Sequence, residues 1–495
     1  MKKKYIYIFA IFVAVILVHS YVQKNILSNN DDKFFNVVKS IIPEKTKIFI
    51  KQKVFYIAWL KFQIQDREAI ILDHEDDLKK RYNQIGVLQD LLLAKGIDFT
   101  QKDNVSVNSK KNKSYNLKTF YSEDLVVGKH MGAKGTSYID IYENNFYLVT
   151  ATGRFFTTNL EYLNDNSFSM NHIKSNIKDF INSERFLTFS KAGIKDILIQ
   201  NEKIFVSFTR ELKKDCFVTG LLIADLNSDY LNFNQAYNPN TCVDYINSYG
   251  EFNFHHSGGR IFYYDDKNVI LTSGEYRFRP LAQEDDNELG KILLINYKNG
   301  SSKILSLGHR NPQGLFYDKI TDTIISTEHG PMEGDELNIV KNVSQSNKKK
   351  NYGWPISSYG EHYGPSAERM KTEKYKKKYA LAPLNKSHKD FGFIEPIKYW
   401  VPGIAPSQIV KVSSKFENIN DNQNLYYFGS MGKNLNEGDL SLHRVEFDTE
   451  YNKIISEDII PLSERIRDVI FDPLNSRIIM FMETSGQIGL INKIN

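Results

Sequence analysis

Apolar and polar positions alternate in a unit that recurs from about residue 117 to the end of the chain. Each unit is an apolar strand, a short polar turn and a second apolar strand, as in "YIDIYENNFYLVTATG". Six copies lie near Ile139, Ile197, Ile261, Leu315, Ile409 and Val469, at intervals of 58, 64, 54, 94 and 60 residues. One supersecondary unit repeated at this length predicts an all-β, six-bladed β-propeller. Two β-sandwiches are the alternative, which leaves the regular period unexplained.

The residues before the repeats have a different pattern. Residues 66–96, "DREAIILDHEDDLKKRYNQIGVLQDLLLAKG", show helix-like apolar spacing, and residues 101–116 are polar. We therefore expect a helical stalk and linker over residues 23–116 and the propeller over residues 117–495. The longest interval contains an insertion, residues 342–396, which is rich in Lys, Asn, Tyr and Gly.

The N-terminus has the features of an export signal. "MKKK" precedes the apolar run "YIYIFAIFVAVILV" at residues 5–18, with no clear cleavage site after it. A positive flank stays in the cytoplasm, so residues 1–22 predict a transmembrane signal anchor in a bacterial inner membrane, with the propeller in the periplasm. The run also fits a cleaved signal peptide, in which case the chain would be exported without a membrane anchor.

Composition narrows the class of protein. The 64 basic residues nearly balance 59 acidic ones, so the net charge of +5 does not indicate a nucleic-acid partner. The only two cysteines, Cys216 and Cys242, are 26 positions apart. In an exported chain we expect them to pair, and two buried free thiols are the alternative.

Polar clusters recur where the first strand of a unit begins and where the second ends. Because these strands are antiparallel, both points lie at one edge of the sheet, and in a propeller these edges surround one mouth of the central channel. The candidates expected to converge there are His256, Arg310, Asn311, Lys433, Arg465 and Arg467. A mouth of this charge suits an anionic ligand.

Six motifs occur in a fixed order: "HSGGR", "GHRNPQGL", "EHGPMEGDELN", "NYGWP", "YWVPGIAPS" and "ERIRDV". In that order they resemble the soluble glucose/sorbosone dehydrogenase family, over roughly residues 130–495. These are aldose sugar dehydrogenases with a six-bladed propeller that depend on pyrroloquinoline quinone (PQQ). The resemblance implies oxidation of a sugar at its anomeric carbon to a lactone, with PQQ and Ca²⁺ as cofactors and an electron acceptor that the sequence does not identify.

The resemblance also implies roles for the candidates. His256 would be the catalytic base, since imidazole has a pKa near neutrality, with adjacent His255 as the alternative. The expected PQQ contacts are Arg310, Asn311, Lys433, Arg465 and Arg467. A surface ion pair with Glu464 or Asp468 is the alternative reading of Arg465.

Two calcium sites are implied. The backbone carbonyls of Gly330 and Pro331 would hold the ion beneath PQQ, because Ca²⁺ accepts carbonyl oxygens. A second, structural ion would staple the insertion through Asp335, Glu336, Tyr352 and Glu361, with Tyr352 acting through its backbone carbonyl. The alternative is that these carboxylates are solvated loop residues.

The sequence departs from the family in two places. Gly432 stands where relatives have a PQQ-contacting Lys, and Lys433 follows one position later; Lys191 replaces a Gln expected near the substrate. A catalytically inactive propeller that serves as a ligand-binding or adhesion module therefore remains an alternative, because fold alone does not establish activity. A calcium-dependent sugar-lactone hydrolase is a third possibility, although its channel would need a metal held by several side chains.

Overall fold

The chain is built almost entirely of β-strands. The computed structural model describes residues 96–125, 136–181, 193–227, 229–345, 349–362, 373–417 and 424–494. These residues form six antiparallel four-stranded units, here called blades 1–6, with an extra strand that joins two of them. The predicted all-β class is thus confirmed.

The blades follow one another along the chain. Blade 1 comprises β3 (Ser137–Tyr142), β4 (Asn145–Thr150), β5 (Phe155–Asn159) and β6 (Ser167–Ser175). Blade 2 comprises β7 (Ile194–Gln200), β8 (Lys203–Lys213), β9 (Cys216–Asp225) and β11 (Asn234–Tyr237), with the short β10 (Tyr230–Leu231) on β6 and β12 (Val243–Asp244) on β9. Blade 3 comprises β13 (Gly258–Asp265), β14 (Asn268–Ser273), β15 (Lys291–Asn296) and β16 (Ser301–Leu307), with β20 (Lys350–Asn351) beside β16.

The remaining blades repeat this order. Blade 4 comprises β17 (Pro312–Asp318), β18 (Thr323–Glu328), β19 (Asp335–Lys341) and β21 (Lys398–Trp400). Blade 5 comprises β22 (Pro406–Lys411), β23 (Asn424–Ser430), β24 (Ser441–Phe447) and β25 (Ile454–Pro461). Blade 6 comprises β26 (Ile466–Asp472), β27 (Arg477–Met482), β28 (Gln487–Lys493) and β2 (Ser114–Tyr121).

Helices are few in the described part of the chain. Two short α-helices are α1 (Glu373–Tyr379) and α2 (Ser414–Glu417). The 3₁₀ turns are Leu160–Asn164, Ile177–Asp179, Phe254–His256, Arg279–Ala282, Lys389–Phe391 and Leu435–Glu437.

The first strands of the six blades contact one another in a closed cycle. The neighbouring pairs are β3–β7, β7–β13, β13–β17, β17–β22, β22–β26 and β26–β3. A closed ring of four-stranded sheets is the arrangement of a six-bladed propeller. Six clusters of buried apolar side chains also lie one between each pair of adjacent blades, so the hydrophobic effect holds the blades face to face.

The prediction that residues 101–116 form a linker is wrong. β1 (Ile97–Asn108) and β2 pair along most of their length, and β2 supplies the outermost strand of blade 6 beside β28. β1 then continues onto β6 of blade 1. The segment is polar because β1 is largely solvent-exposed, whereas β2 alternates buried and half-buried positions. N-terminal residues therefore close the ring onto the C-terminal strands.

Arg260 lies in the centre of the ring and links blades 2, 3, 4 and 6, since its Nε also donates to the carbonyl of Gln313 in blade 4 at 2.8 Å. Its side chain is 1% exposed, and its Nη1 donates to Asp196 Oδ1 at 2.9 Å and to Asp468 Oδ1 at 2.8 Å. Its Nη2 reaches the carbonyl of Arg467 at 2.7 Å. One cation bonded to blades 2 and 6 from blade 3 satisfies carboxylates that would be costly to bury alone.

The disulfide prediction is confirmed. Cys216 and Cys242 are bonded, with their Cα atoms 5.5 Å apart, beside the β9–β12 pairing. The predicted stalk helix and the anchor at residues 1–22 lie outside the described residues. Among those that are described, we find no helix with the length and apolarity needed to cross a bilayer.

Candidate active site at one mouth of the channel

A buried glutamate ends the second strand, or lies within two residues after it, in three blades. These residues are Glu275 after β14, Glu328 at the end of β18 and Glu483 after β27. Each binds a basic side chain that lies just before or at the start of the first strand of the same blade. The pairing follows from antiparallel geometry, which brings the two points together at one edge of the sheet.

His256 is held by two charged neighbours. Its Nδ1 lies 2.7 Å from Glu275 Oε1, and its Nε2 lies 3.1 Å from Arg310 Nη2. A guanidinium can only donate, so Nε2 accepts and Nδ1 carries the proton, which it donates to the Glu275 carboxylate. Burial, followed by the charge of Arg310, holds the pKa of His256 well below its ordinary value. The imidazole is therefore neutral and has its lone pair on Nε2.

His255 is the alternative to His256 as the base, and strand alternation does not separate the two. Both residues lie in the 3₁₀ turn Phe254–His256, before β13 begins. The contacts instead distinguish them, because His256 has both Glu275 and Arg310 as partners.

Arg310 and Asn311 lie beside His256, as predicted. Arg310 Nη1 donates to the carbonyl of His329 at 2.9 Å, and its guanidinium packs over the Trp354 ring at 5.3 Å. Asn311 Oδ1 accepts from the backbone N–H of Gly258 at 3.1 Å, which ties blade 4 to the start of blade 3. Arg310 and Asn311 therefore lie at the same mouth of the channel as His256, the candidate base.

Arg465 and Arg467 share one carboxylate, Glu483. Arg465 Nε lies 2.9 Å from Glu483 Oε2, and Arg467 Nη2 lies 2.7 Å from Glu483 Oε1. The two arginines therefore face the same side, as residues two positions apart in an extended chain do. Burial alone would raise the pKa of Glu483, but Arg467 and Arg465 hold it at about 2. The alternative ion pair of Arg465 with Glu464 or Asp468 is replaced by this one.

His329 is influenced by all three arginines of the mouth, Arg310, Arg465 and Arg467. Burial, then the charges of Arg310, Arg467 and Arg465, lower its pKa to about 3. Its Nε2 lies 2.8 Å from the carbonyl of Pro406. Residues from blades 3, 4 and 6 therefore converge at this mouth, although more than 200 positions separate them in sequence.

Lys433 is exposed on the loop after β23. The backbone N–H groups of Lys433 and Asn434 both donate to the Asp439 carboxylate, the second at 2.7 Å. A Cβ at position 432 would clash with the same carboxylate, so any other residue there would displace Asp439. Gly432, where the sequence departs from the family, therefore lies in a loop whose backbone is held by the Asp439 carboxylate. This loop also contacts Arg465, whose Nη1 donates to the Met431 carbonyl.

Gly330 and Pro331 follow His329 in a tight turn. A Cβ on Gly330 would lie 2.2 Å from the Gly334 carbonyl oxygen and 2.4 Å from that of Glu333. The Gly330 N–H donates to Asp335 Oδ1 at 2.8 Å. Position 330 therefore requires glycine, because backbone oxygens approach it too closely to leave room for a side chain. Backbone oxygens are also ligands that calcium accepts.

The four residues predicted for a structural calcium ion do not form one ligand set. Asp335 is buried and accepts backbone N–H bonds on both oxygens, whereas Glu361 is exposed and its Oε1 lies 2.6 Å from Lys386 Nζ. The Tyr352 hydroxyl donates to the carbonyl of Ile339 at 2.6 Å, which leaves only its backbone carbonyl for the predicted role. Within the described ranges, no three His, Cys, Asp or Glu side chains are grouped to hold a metal ion.

Sequence reasoning did not find the glutamates. A repeated signal was present, because Glu275 and Glu328 each follow their histidine partners, His256 and His309, by 19 positions. Each lies where an apolar strand gives way to a glycine-containing turn. Lys191, the other departure from the family, lies outside the described residues.

The sequence matches the glucose/sorbosone dehydrogenase family over residues 169–490, which is well over half of its length. The chain belongs to this family, as the motifs predicted. Aldose sugar dehydrogenase YliI of Escherichia coli is 28% identical over 256 residues, covering 48% of this chain and 61% of that protein. Quinoprotein glucose dehydrogenase B of Acinetobacter calcoaceticus is 24% identical over 300 residues, covering 47% of this chain and 60% of that protein. The matches thus span about six-tenths of these relatives.

Solved structures show the same fold. The soluble aldose sugar dehydrogenase of Escherichia coli superposes with a TM-score of 0.54 at 18% identity, covering 79% of this chain and 99% of the other. A glucose dehydrogenase structure gives 0.54 at 19% identity, covering 73% of this chain and 97% of the other.

Proposed function

We propose that this protein is a PQQ- and calcium-dependent aldose dehydrogenase that oxidises a sugar at its anomeric carbon to a lactone. One observation carries the proposal: a neutral histidine, bonded to Glu275, lies beside Arg310 at the mouth of a propeller of this family, where Arg465 and Arg467 also lie. The names of the relatives, an aldose sugar dehydrogenase and a quinoprotein glucose dehydrogenase, support the substrate class and the cofactor.

His256 would remove the proton from the anomeric hydroxyl. Its Nε2 has one lone pair, which accepts from Arg310 in this structure, so the sugar hydroxyl would replace Arg310 as the donor to Nε2 before the proton is transferred. As Nε2 takes the proton, the ring becomes an imidazolium, and the Glu275 carboxylate at Nδ1 stabilises that charge.

The mouth suits PQQ, which carries three carboxylates. Arg310, Arg465 and Arg467 offer guanidinium donors, with only Glu483 shared between the last two. Asn311 would add a polar contact to PQQ, and Lys433 would add a positive charge from its exposed loop. The carbonyls of Gly330 and Pro331 would hold calcium. When bound, PQQ would accept the two electrons of the sugar, with calcium polarising its quinone.

The test uses the full chain, purified and supplied with calcium and PQQ, in an assay of a sugar panel with a dye acceptor. The expected result is dye reduction that depends on PQQ and an aldose, together with a higher melting temperature when PQQ and calcium are present. An unchanged melting temperature at saturating PQQ would contradict the cofactor assignment. PQQ binding without turnover of any sugar would favour the inactive binding module.

We also propose that residues 1–22 anchor the protein in the inner membrane, with the propeller in the periplasm. The "MKKK" flank and the apolar run support this orientation. A C-terminal alkaline phosphatase fusion should be active and membrane-associated. An inactive fusion would refute export, and an active soluble one would indicate a cleaved signal.

A further inference from the structure

The insertion returns to blade 4 through a segment that packs on the residues predicted to bind a structural calcium ion. Asn385 pairs with this region through its backbone, donating to the carbonyl of Ile356 at 2.8 Å and accepting from Ser358 N–H at 2.8 Å. This pairing places Lys386 and His388 beside Glu361 and Glu336. We propose that these two side chains replace the structural calcium ion, so that the chain staples its insertion with its own basic groups.

His388 takes the place of an ion at Glu336. It is 1% exposed, with Nε2 3.0 Å from Glu336 Oε1 and Nδ1 2.9 Å from Ser357 Oγ. The other oxygen of Glu336 accepts from Asn338 Nδ2 at 3.1 Å. Both carboxylate oxygens therefore have protein partners.

Lys386 is half exposed, and its ammonium group contacts three oxygen atoms. Its Nζ lies 2.5 Å from the Gly360 carbonyl, 3.3 Å from that of Tyr359 and 2.6 Å from Glu361 Oε1. An ammonium has three donors, and three oxygens lie within reach of it here. Glu361 is also paired through its backbone with Met332, so this contact joins the insertion to the turn after Gly330.

A calcium ion would find no ligand set here. Calcium needs six to eight oxygens, and its carboxylate ligands must face it. Both oxygens of Asp335 accept backbone N–H bonds, at 2.8 and 2.6 Å, and Glu336 and Glu361 face basic side chains. A divalent ion among these groups would also be repelled by the ammonium of Lys386.

The decisive measurement is calcium binding to the full chain without PQQ, after removal of metal by chelation. Equilibrium dialysis against radioactive calcium should show no bound ion, and melting temperatures in EDTA and in millimolar calcium should agree. If one ion binds, Glu336→Gln decides its place. Binding that survives this change assigns the ion to the Gly330 and Pro331 carbonyls and upholds the inference. Binding that is lost overturns it. Because PQQ is omitted, the result is independent of the proposed activity.

Substitution tests the staple itself. His388→Gln and Lys386→Gln should each lower the melting temperature by a few degrees, equally in EDTA and in calcium. Lys389→Gln is the matched control, an exposed lysine of the same segment, and should have no effect. If both test variants melt at the wild-type temperature, the proposed staple is wrong. If a variant does not fold, the calcium-binding measurement on the wild type still tests the proposal.

Discussion

Glu275 Oε1 accepts a 2.7 Å hydrogen bond from Nδ1 of His256. This contact fixes the tautomer that leaves Nε2 able to accept a proton, so Glu275 is a positioning residue for the candidate base. Burial raises the pKa of Glu275 to about 7, so its carboxylate is lost as the pH falls through neutrality.

We predict that turnover rises with pH through about 7 and that Glu275→Gln removes this dependence. A glutamine amide carries no charge to stabilise the imidazolium that forms when Nε2 takes the proton, so kcat should fall by about 10²-fold or more. The measurement is the pH profile of kcat in wild type and variant, both saturated with PQQ. A variant with the wild-type acid limb would contradict the assignment.

His256→Gln should lower kcat by about 10²–10⁴-fold, the range for a positioned acid–base group, while PQQ still binds. Turnover and the PQQ-induced shift in melting temperature should be measured on the same preparation. His255→Gln is the neighbouring control and should have a much smaller effect on kcat. Equal activity of His256→Gln and wild type would remove the base assignment.

Glu483→Gln tests the arginine pair. Glu483 is fully buried, so its loss leaves Arg465 and Arg467 without a compensating charge, and we expect the free energy of unfolding to fall by about 3 kcal/mol. Urea denaturation measures this change. PQQ should then stabilise the variant more than the wild type, because its carboxylates supply the missing anion; equal stabilisation would place PQQ away from these arginines.

His443 makes the fold sensitive to acid. Burial lowers its pKa from 6.5 to about 4, and its Nε2 contacts the Gly438 carbonyl at 2.7 Å. As the pH falls below 6.5 the unfolded chain takes up a proton first, so this group removes about 1.4 kcal/mol of stability per pH unit until its folded pKa is reached. His443→Gln should therefore lose about 2 kcal/mol less than wild type between pH 7 and 5, by urea denaturation at each pH. Parallel losses would contradict this.

The repeat, and with it the propeller fold, can be predicted from local sequence. Strand alternation is a local property, so the sequence alone places the six first strands near Ile139 to Val469. The same period predicted that His256, Arg310 and Arg467 would meet at one mouth, because equivalent positions of a closed ring lie together.

Only the tertiary structure decided how the charges are paired. Glu483 between two arginines, and His388 and Lys386 against Glu336 and Glu361, depend on distances between segments that no local pattern specifies. β1 is not apparent in the sequence because it is polar and largely solvent-exposed, so it lacks the apolar alternation of an inner strand. β1 and β2 also pair with β6 and β28, which belong to blades at opposite ends of the chain, and no local pattern specifies these pairings.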